Sequence, residues 1–142
     1  FEIITMFILE YEQRLNEMIL ANIDTKDKVF NFLYMLYDDK NSSKQLRSYR
    51  EFLAIALTSE EPAVINFNIT FRKKFAYILE QILKQGISKG EIRKESESMA
   101  SALLIFGLGL AVETHTVSLN AKDEITNFLD PLFLLIETKD RV

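Results

Sequence analysis

The chain has 142 residues, 48% of them hydrophobic, and a formal net charge of −4. This acidic balance disfavours a chain that binds a nucleic-acid backbone by itself, because such binding depends on clustered Lys and Arg. Cys is absent and only four Gly and two Pro occur, which excludes disulfides, thiolate metal sites and a Cys nucleophile, and disfavours an all-β fold.

Apolar side chains at spacings of three and four predict three helices in the first part of the chain. The first covers residues 1–22 and has no capping residue before Phe1, so we expect it to continue a segment that precedes Phe1. Asp24 or Thr25 caps the second, which runs to about residue 37. Residues 38–43 form a loop. The third helix presents apolar side chains from Leu46 to Leu57.

Three further helices follow the sequence Thr58-Ser59-Glu60-Glu61-Pro62, a capping box with a proline for the first turn. The fourth covers residues 63–89 and ends at Gly90, which is suited to a left-handed conformation. The fifth, capped by Ser96, covers residues 97–118 and is apolar nearly all round. The sixth follows a break at residues 120–123 and reaches about residue 138, with a kink or restart at Pro131. The sequence thus predicts a single all-α domain over residues 1–142, with about six helices and no strand.

Neither a signal peptide nor a membrane span is predicted. The N-terminus lacks a basic segment and a small-residue cleavage site. The longest nearly uncharged apolar run, residues 99–112, is shorter than the ~20 residues that a transmembrane helix requires. We therefore expect a soluble protein with no membrane partner, in the cytoplasm.

One segment of the chain has the pattern of a known family. It begins with Ile82-Leu83-Lys84-Gln85-Gly86-Ile87-Ser88-Lys89-Gly90-Glu91-Ile92-Arg93 and continues with Met99-Ala100-Ser101-Ala102-Leu103-Leu104-Ile105-Phe106-Gly107-Leu108. A long helix ending in G-x-x-x-G-E-(apolar)-R, followed by an Ala-rich helix with an internal apolar-Gly-Leu stretch, resembles the C-terminal domains of TetR-family transcriptional regulators. Order, spacing and length agree over essentially the whole chain.

This resemblance implies a function. The chain would be the effector-sensing and homodimerisation domain of a transcriptional repressor, and a small hydrophobic or aromatic ligand would release DNA. The helix-turn-helix head of the family is missing from these residues, so DNA would be a partner only through a missing N-terminal domain. In the family, a cavity enclosed by such helices holds the effector. The aromatic side chains that we assign to it are Phe7, Tyr11, Tyr34, Phe52, Phe67, Phe71 and Phe75. For each Phe the alternative is an ordinary core position.

The fifth and sixth helices carry more apolar surface than one copy of the chain can cover. Two such helices and their copies about a two-fold axis would form a four-helix bundle. Gly107 and Gly109 would allow a close approach of the backbones. The alternative is that both helices lie centrally in a monomer. The predicted dimer interface comprises Leu103, Phe106, Gly107, Leu110, Leu129, Leu132, Phe133 and Ile136.

The sequence predicts no enzyme, no cofactor and no metal site. No phosphate-binding loop and no G-x-S-x-G elbow occur. The single histidine, His115, is either a residue near a helix C-terminus or a contact to the ligand, and one His without Cys cannot form a conventional zinc site. We interpret the basic run Arg72, Lys73 and Lys74 as a solvated face.

The competing function is a helical protein-interaction or dimerisation module with a filled core and no ligand. A carboxylate-bridged diiron oxidase is disfavoured because it needs two Glu-x-x-His pairs.

Overall fold

A computed structural model describes residues 2–37, 44–116 and 120–138 of the chain. Within these residues the fold is all-helical, and the prediction of six α-helices is confirmed. The helices are α1 (Glu2–Ile19), α2 (Thr25–Tyr34), α3 (Lys44–Ala56), α4 (Pro62–Ser88), α5 (Ala100–Thr116) and α6 (Ala121–Ile136). Short 3-10 segments follow α2 at Met35–Tyr37 and precede α5 at Lys94–Met99.

Local side-chain chemistry explains three of the helix ends. The side chain of Asp24 accepts a hydrogen bond from the backbone N–H of Asp27 at 2.8 Å, and so caps α2. The side chain of Asn120 caps α6 in the same way. Gly90, just after α4, has a φ of 73°, a left-handed conformation that glycine adopts without steric cost.

Three predicted helix boundaries are corrected. Glu61 is the residue before α4 and makes no side-chain cap, so the capping box does not form; instead, the Ser59 hydroxyl accepts from the Glu61 N–H. Ser96 does not cap the fifth helix, because it lies buried inside the 3-10 segment that precedes α5. The sixth helix does not restart at Asp130, since α6 runs through Pro131 as one element.

The long helix α4 is the centre of the fold. It packs against α1, α2, α3 and α5, while α6 packs against α2. The described core side chains come from every helix and from the segments between them. The C-terminal end of α6 is tied to the turn after α4, where the Arg93 N–H donates to the Ile136 carbonyl at 2.8 Å. An isolated antiparallel bridge between Ile92 and Glu137 lies beside it.

A buried polar cluster joins the end of α1 to α2 and α4. Lys28 is 1% exposed, and its ammonium donates to the Ile19 carbonyl at 2.7 Å and to Oε1 of Gln85 at 2.5 Å. Gln85 also donates to the Ile19 carbonyl, at 3.1 Å. Nearby, the hydroxyl and N–H of Thr25 both donate to the carboxylate of Glu91. The last turn of α1 is therefore held by hydrogen bonds to side chains of two other helices.

One helical stretch in the described part of the chain, Lys94–Glu113, is long and apolar enough to cross a membrane by length and composition. The central helix of a soluble protein meets the same criterion. Here the stretch contains α5, which packs against α3 and α4.

Candidate functional site

A groove of about 360 Å³ lies between α3, α4 and α5. Its size falls within the range of small-molecule sites, roughly 300–1,000 Å³. Most of the side chains around it are apolar, with three polar ones among them. The lining residues are Leu53, Leu57, Asn68, Arg72, Ile105, Leu108, Gly109, Val112 and Glu113.

The ends of the helices account for the shape of the groove. Helix α3 stops at Ala56, and the following turn leaves Leu57 71% exposed at the rim. Asn68 and Arg72 are four residues apart on α4 and therefore share one face of that helix. On α5, Ile105, Gly109 and Val112 follow the same spacing of three and four. Each helix thus contributes a short stripe that faces the others across the groove.

Glycine and charge set the character of the groove floor. A Cβ atom added to Gly109 would have no atom within 4 Å beyond its own helix and neighbours, so the missing side chain leaves open space. Among the described residues, no hydrogen bond or ion pair to the Arg72 guanidinium occurs. Arg72 also lowers the pKa of the nearby Tyr49, although burial is the larger effect and raises that pKa overall.

Of the predicted ligand residues whose side chains the structure describes, none lines this groove. Tyr11 and Phe75 are buried, with their rings edge-to-face at 5.3 Å. The hydroxyl of Tyr11 donates to the carbonyl of Phe32, whose ring also packs against both. This packing favours the core interpretation of these side chains, because rings that satisfy one another leave no room for a ligand between them.

The remaining predicted ligand residues occupy two other places. Phe67 lies between Phe52 and Phe71, with ring centroids 5.2 and 4.3 Å away. Tyr34 is half-buried and stacks on Phe30. The side chain of Phe7 lies outside the described part of the structure, as does that of His115. The six predicted aromatic side chains that the structure describes are thus not brought together as one pocket wall.

Most of the predicted dimer-interface residues are covered by their own chain. Leu103, Gly107, Leu110, Leu129 and Phe133 are buried, whereas Phe106, Leu132 and Ile136 are half-buried. The expectation that Gly107 admits a second copy needs correction. A Cβ there would lie 2.7 Å from Cδ2 of Leu33, and the Gly107 carbonyl accepts from the Tyr37 hydroxyl at 2.7 Å. The close approach at Gly107 is therefore made within the chain.

A different set of residues leaves apolar surface open on α5 and α6. Phe106 and Phe128 stack at 4.1 Å and join the two helices. We call the surface around this stack the α5–α6 face. All of its residues are exposed or half-buried, and on each helix they follow steps of three and four. They are Ala102, Ile105, Phe106 and Gly109 on α5, and Phe128, Pro131, Leu132 and Leu135 on α6.

None of the groove residues was predicted as a ligand contact. The basic run that starts at Arg72 was interpreted as a solvated face, and Leu57 as the end of an apolar stripe. Only the spacing of Asn68 and Arg72 on one helix face could have drawn attention to the polar side of the groove.

Searches of protein-family models, curated proteins and solved structures found no match to this chain.

Proposed function

We propose that this chain is the effector-sensing and homodimerisation domain of a TetR-like transcriptional repressor of the cytoplasm. The α5–α6 face carries the proposal. It presents contiguous apolar side chains in steps of three and four on two neighbouring helices, the pattern that a four-helix bundle of two copies buries. Ile105 is 56% and Leu135 71% exposed, so a second copy would remove substantial apolar area from water.

The groove supports the sensing part of the proposal. It is mostly apolar with a few polar groups, as small-molecule sites are. Helices α3 and α4, which line it, also pack against α1. A ligand that spreads α3 from α4 would therefore act directly on α1, which resembles the helix that follows the DNA-binding head in the family.

The polar cluster supports α1 as the moving part. Lys28 and Gln85 hold the Ile19 carbonyl at the C-terminal end of α1. Closer to the N-terminus, α1 contacts α4 through the buried ring of Tyr11 against Phe75 and through the exposed ion pair between Glu12 and Lys74. The ion pair has little net energy. The helix would pivot at its fixed end, and its tilt would alter the spacing of two recognition helices on DNA.

Self-association of the chain tests this proposal. Sedimentation equilibrium should give a dimer, and Leu135→Glu should convert it to a monomer because a charge would be buried without a partner. Leu20→Glu is the matched control, since Leu20 is 85% exposed near the end of α1 and away from the α5–α6 face. A wild-type chain that stays monomeric at high concentration would contradict the proposal. A helix-turn-helix pattern encoded upstream of Phe1 in the parent gene would support it further.

One observation favours the competing function, a helical interaction module with a filled core. The aromatic side chains around Phe75 pack edge-to-face with one another. Titration with an apolar fluorescent dye distinguishes the two functions. Saturable binding at one site per chain would support a sensor, whereas a dimer without dye binding would support the interaction module.

A further inference from the structure

The groove and the α5–α6 face share part of α5. Ile105 and Gly109 belong to both, and Glu113 continues the same stripe at a spacing of four. All three are exposed. A second copy that packs on the exposed side of α5 would therefore extend over the mouth of the groove. The two surfaces cannot be occupied independently of each other.

A single copy leaves the groove incomplete as a binding site. Small-molecule sites bury roughly 70–90% of the surface of a drug-sized ligand. Here two of the apolar walls, Leu57 and Ile105, are more than half exposed. A ligand lying between them would keep one side in water, which forfeits much of the free energy that burial of apolar surface supplies.

The polar residues define the chemistry of the ligand. Arg72 and Asn68 present a guanidinium and an amide from the α4 side, and a guanidinium is suited to a carboxylate or sulfonate. On the α5 side, Glu113 is the third polar residue of the lining, so the cationic group of the described lining, Arg72, is presented from α4. The remaining lining residues are apolar. The groove therefore matches a molecule with an apolar body and one anionic group.

We propose that the groove binds an apolar molecule carrying one anionic group, and that a second copy of the chain completes the site by covering its open side. This inference rests on the homodimer of the proposed function. Because such a ligand binds the dimer more tightly than the monomer, it strengthens self-association by mass action. Ligand binding and assembly are then one linked equilibrium.

The probe for this inference is anilinonaphthalene sulfonate, an aromatic dye with one anionic group. Sedimentation equilibrium is measured with and without the dye. With two sites per dimer and negligible binding to the monomer, dye at about nine times its Kd should lower the dimer dissociation constant about 100-fold. Phenylnaphthylamine, which has the same rings without the sulfonate, should bind more weakly to the wild-type chain.

Two substitutions on α4 separate the groove from general charge effects. Arg72→Gln removes the guanidinium and should weaken dye binding about tenfold or more, since one charge-assisted hydrogen bond contributes about that much. Lys73→Gln removes the same charge from the neighbouring residue, which does not line the groove, and should bind the dye like the wild type.

Each contrary outcome has a definite meaning. If the dye weakens self-association, ligand and second copy compete for one surface, and the inference is overturned while the dimer stands. A dimer whose affinity is unchanged by bound dye, or an Arg72→Gln variant that binds the dye normally, also overturns it. A chain that remains monomeric with and without the dye overturns both the inference and the proposed function.

Discussion

The first nine residues of α4 and the eighteen that follow have similar apolar fractions but opposite surroundings. None of residues 62–70 is buried, although Val64, Ile65, Phe67 and Ile69 lie among them. Residues 71–88 include seven buried positions. This longer part is covered by α1 and α2, as the contacts of Phe75 with Tyr11 and Phe32 demonstrate. The shorter part contributes Asn68 to the groove. Burial along a helix is thus decided by which neighbours reach it, not by its own sequence.

The largest effect should come from a matched pair of isoleucines on this helix. Ile82, within residues 71–88, is fully buried, whereas Ile69, within residues 62–70, is 45% exposed. Ile82→Ala should lower the free energy of unfolding by about 2–5 kcal/mol, through lost burial and a residual cavity. Ile69→Ala should change it by less than about 1 kcal/mol. Urea denaturation measures both free energies of unfolding. Equal losses for the two variants would contradict the distinction between residues 62–70 and residues 71–88.

Alkaline pH should destabilise the buried region next. Burial raises the pKa of Tyr11, Tyr37 and Tyr49 above the ordinary value of 10.0. Their hydroxyls stay protonated in the folded state while the unfolded chain ionises, so stability is complete below pH 10 and falls above it. Each tyrosine contributes a loss of roughly 1 kcal/mol per pH unit.

Denaturation at a series of pH values tests this slope. Tyr49→Phe should reduce the slope by about a third, since it removes one of three such groups. Tyr77→Phe, at an exposed position on α4, is the matched control for the loss of a tyrosine hydroxyl. Lys28 acts in the opposite sense, because burial lowers its pKa. Between that lowered pKa and 10.5 the unfolded chain binds more protons than the folded one, so this residue makes stability rise with pH over that range. A flat profile through pH 11 would contradict the assignment of these tyrosines to the core.

On α2, stability should be more sensitive to the loss of Lys28, which belongs to the buried polar cluster, than to the loss of Lys26, which forms a surface ion pair. Lys28→Met removes the donor to the Ile19 carbonyl and to Gln85, and should cost about 1–3 kcal/mol of stability. Lys26→Met breaks the pair with Asp130 at 2.7 Å, which lies at the surface, and should cost much less. Equilibrium denaturation compares the two variants. A neutral Lys28→Met would mean that the buried hydrogen bonds do not stabilise this end of α1.

Two glycines with opposite surroundings should respond in opposite directions to the same substitution. A Cβ at Gly86 would lie 2.3 Å from Oγ1 of Thr25, and Thr25 cannot turn away without losing Glu91. Gly86→Ala should therefore destabilise the chain by about 1–3 kcal/mol. A Cβ at Gly109 projects into the open groove, so Gly109→Ala should stabilise α5 by up to about 1 kcal/mol. Thermal unfolding should move in opposite directions for the two variants.

The candidate site could be predicted from the sequence only in part. The steps of three and four on the last two helices indicate an apolar surface in excess, and Phe106, Leu132 and Ile136 of the predicted interface do remain partly open. The other predicted residues were chosen from helices that are apolar nearly all round. In such a helix periodicity cannot distinguish the covered side from the open one. The groove could not be predicted at all, because its residues come from three helices that meet only after folding.

The sequence by itself determined the helices and several of their ends, since these depend on interactions within a few residues. Asp24 and Asn120 cap from three positions away, and Gly90 takes the backbone conformation that a side chain disfavours. Only the tertiary structure decided which apolar side chains are covered, that Lys28 is buried with partners on α1 and α4, and that Arg72 borders a groove. These outcomes depend on contacts between residues far apart in the chain, which no local pattern encodes.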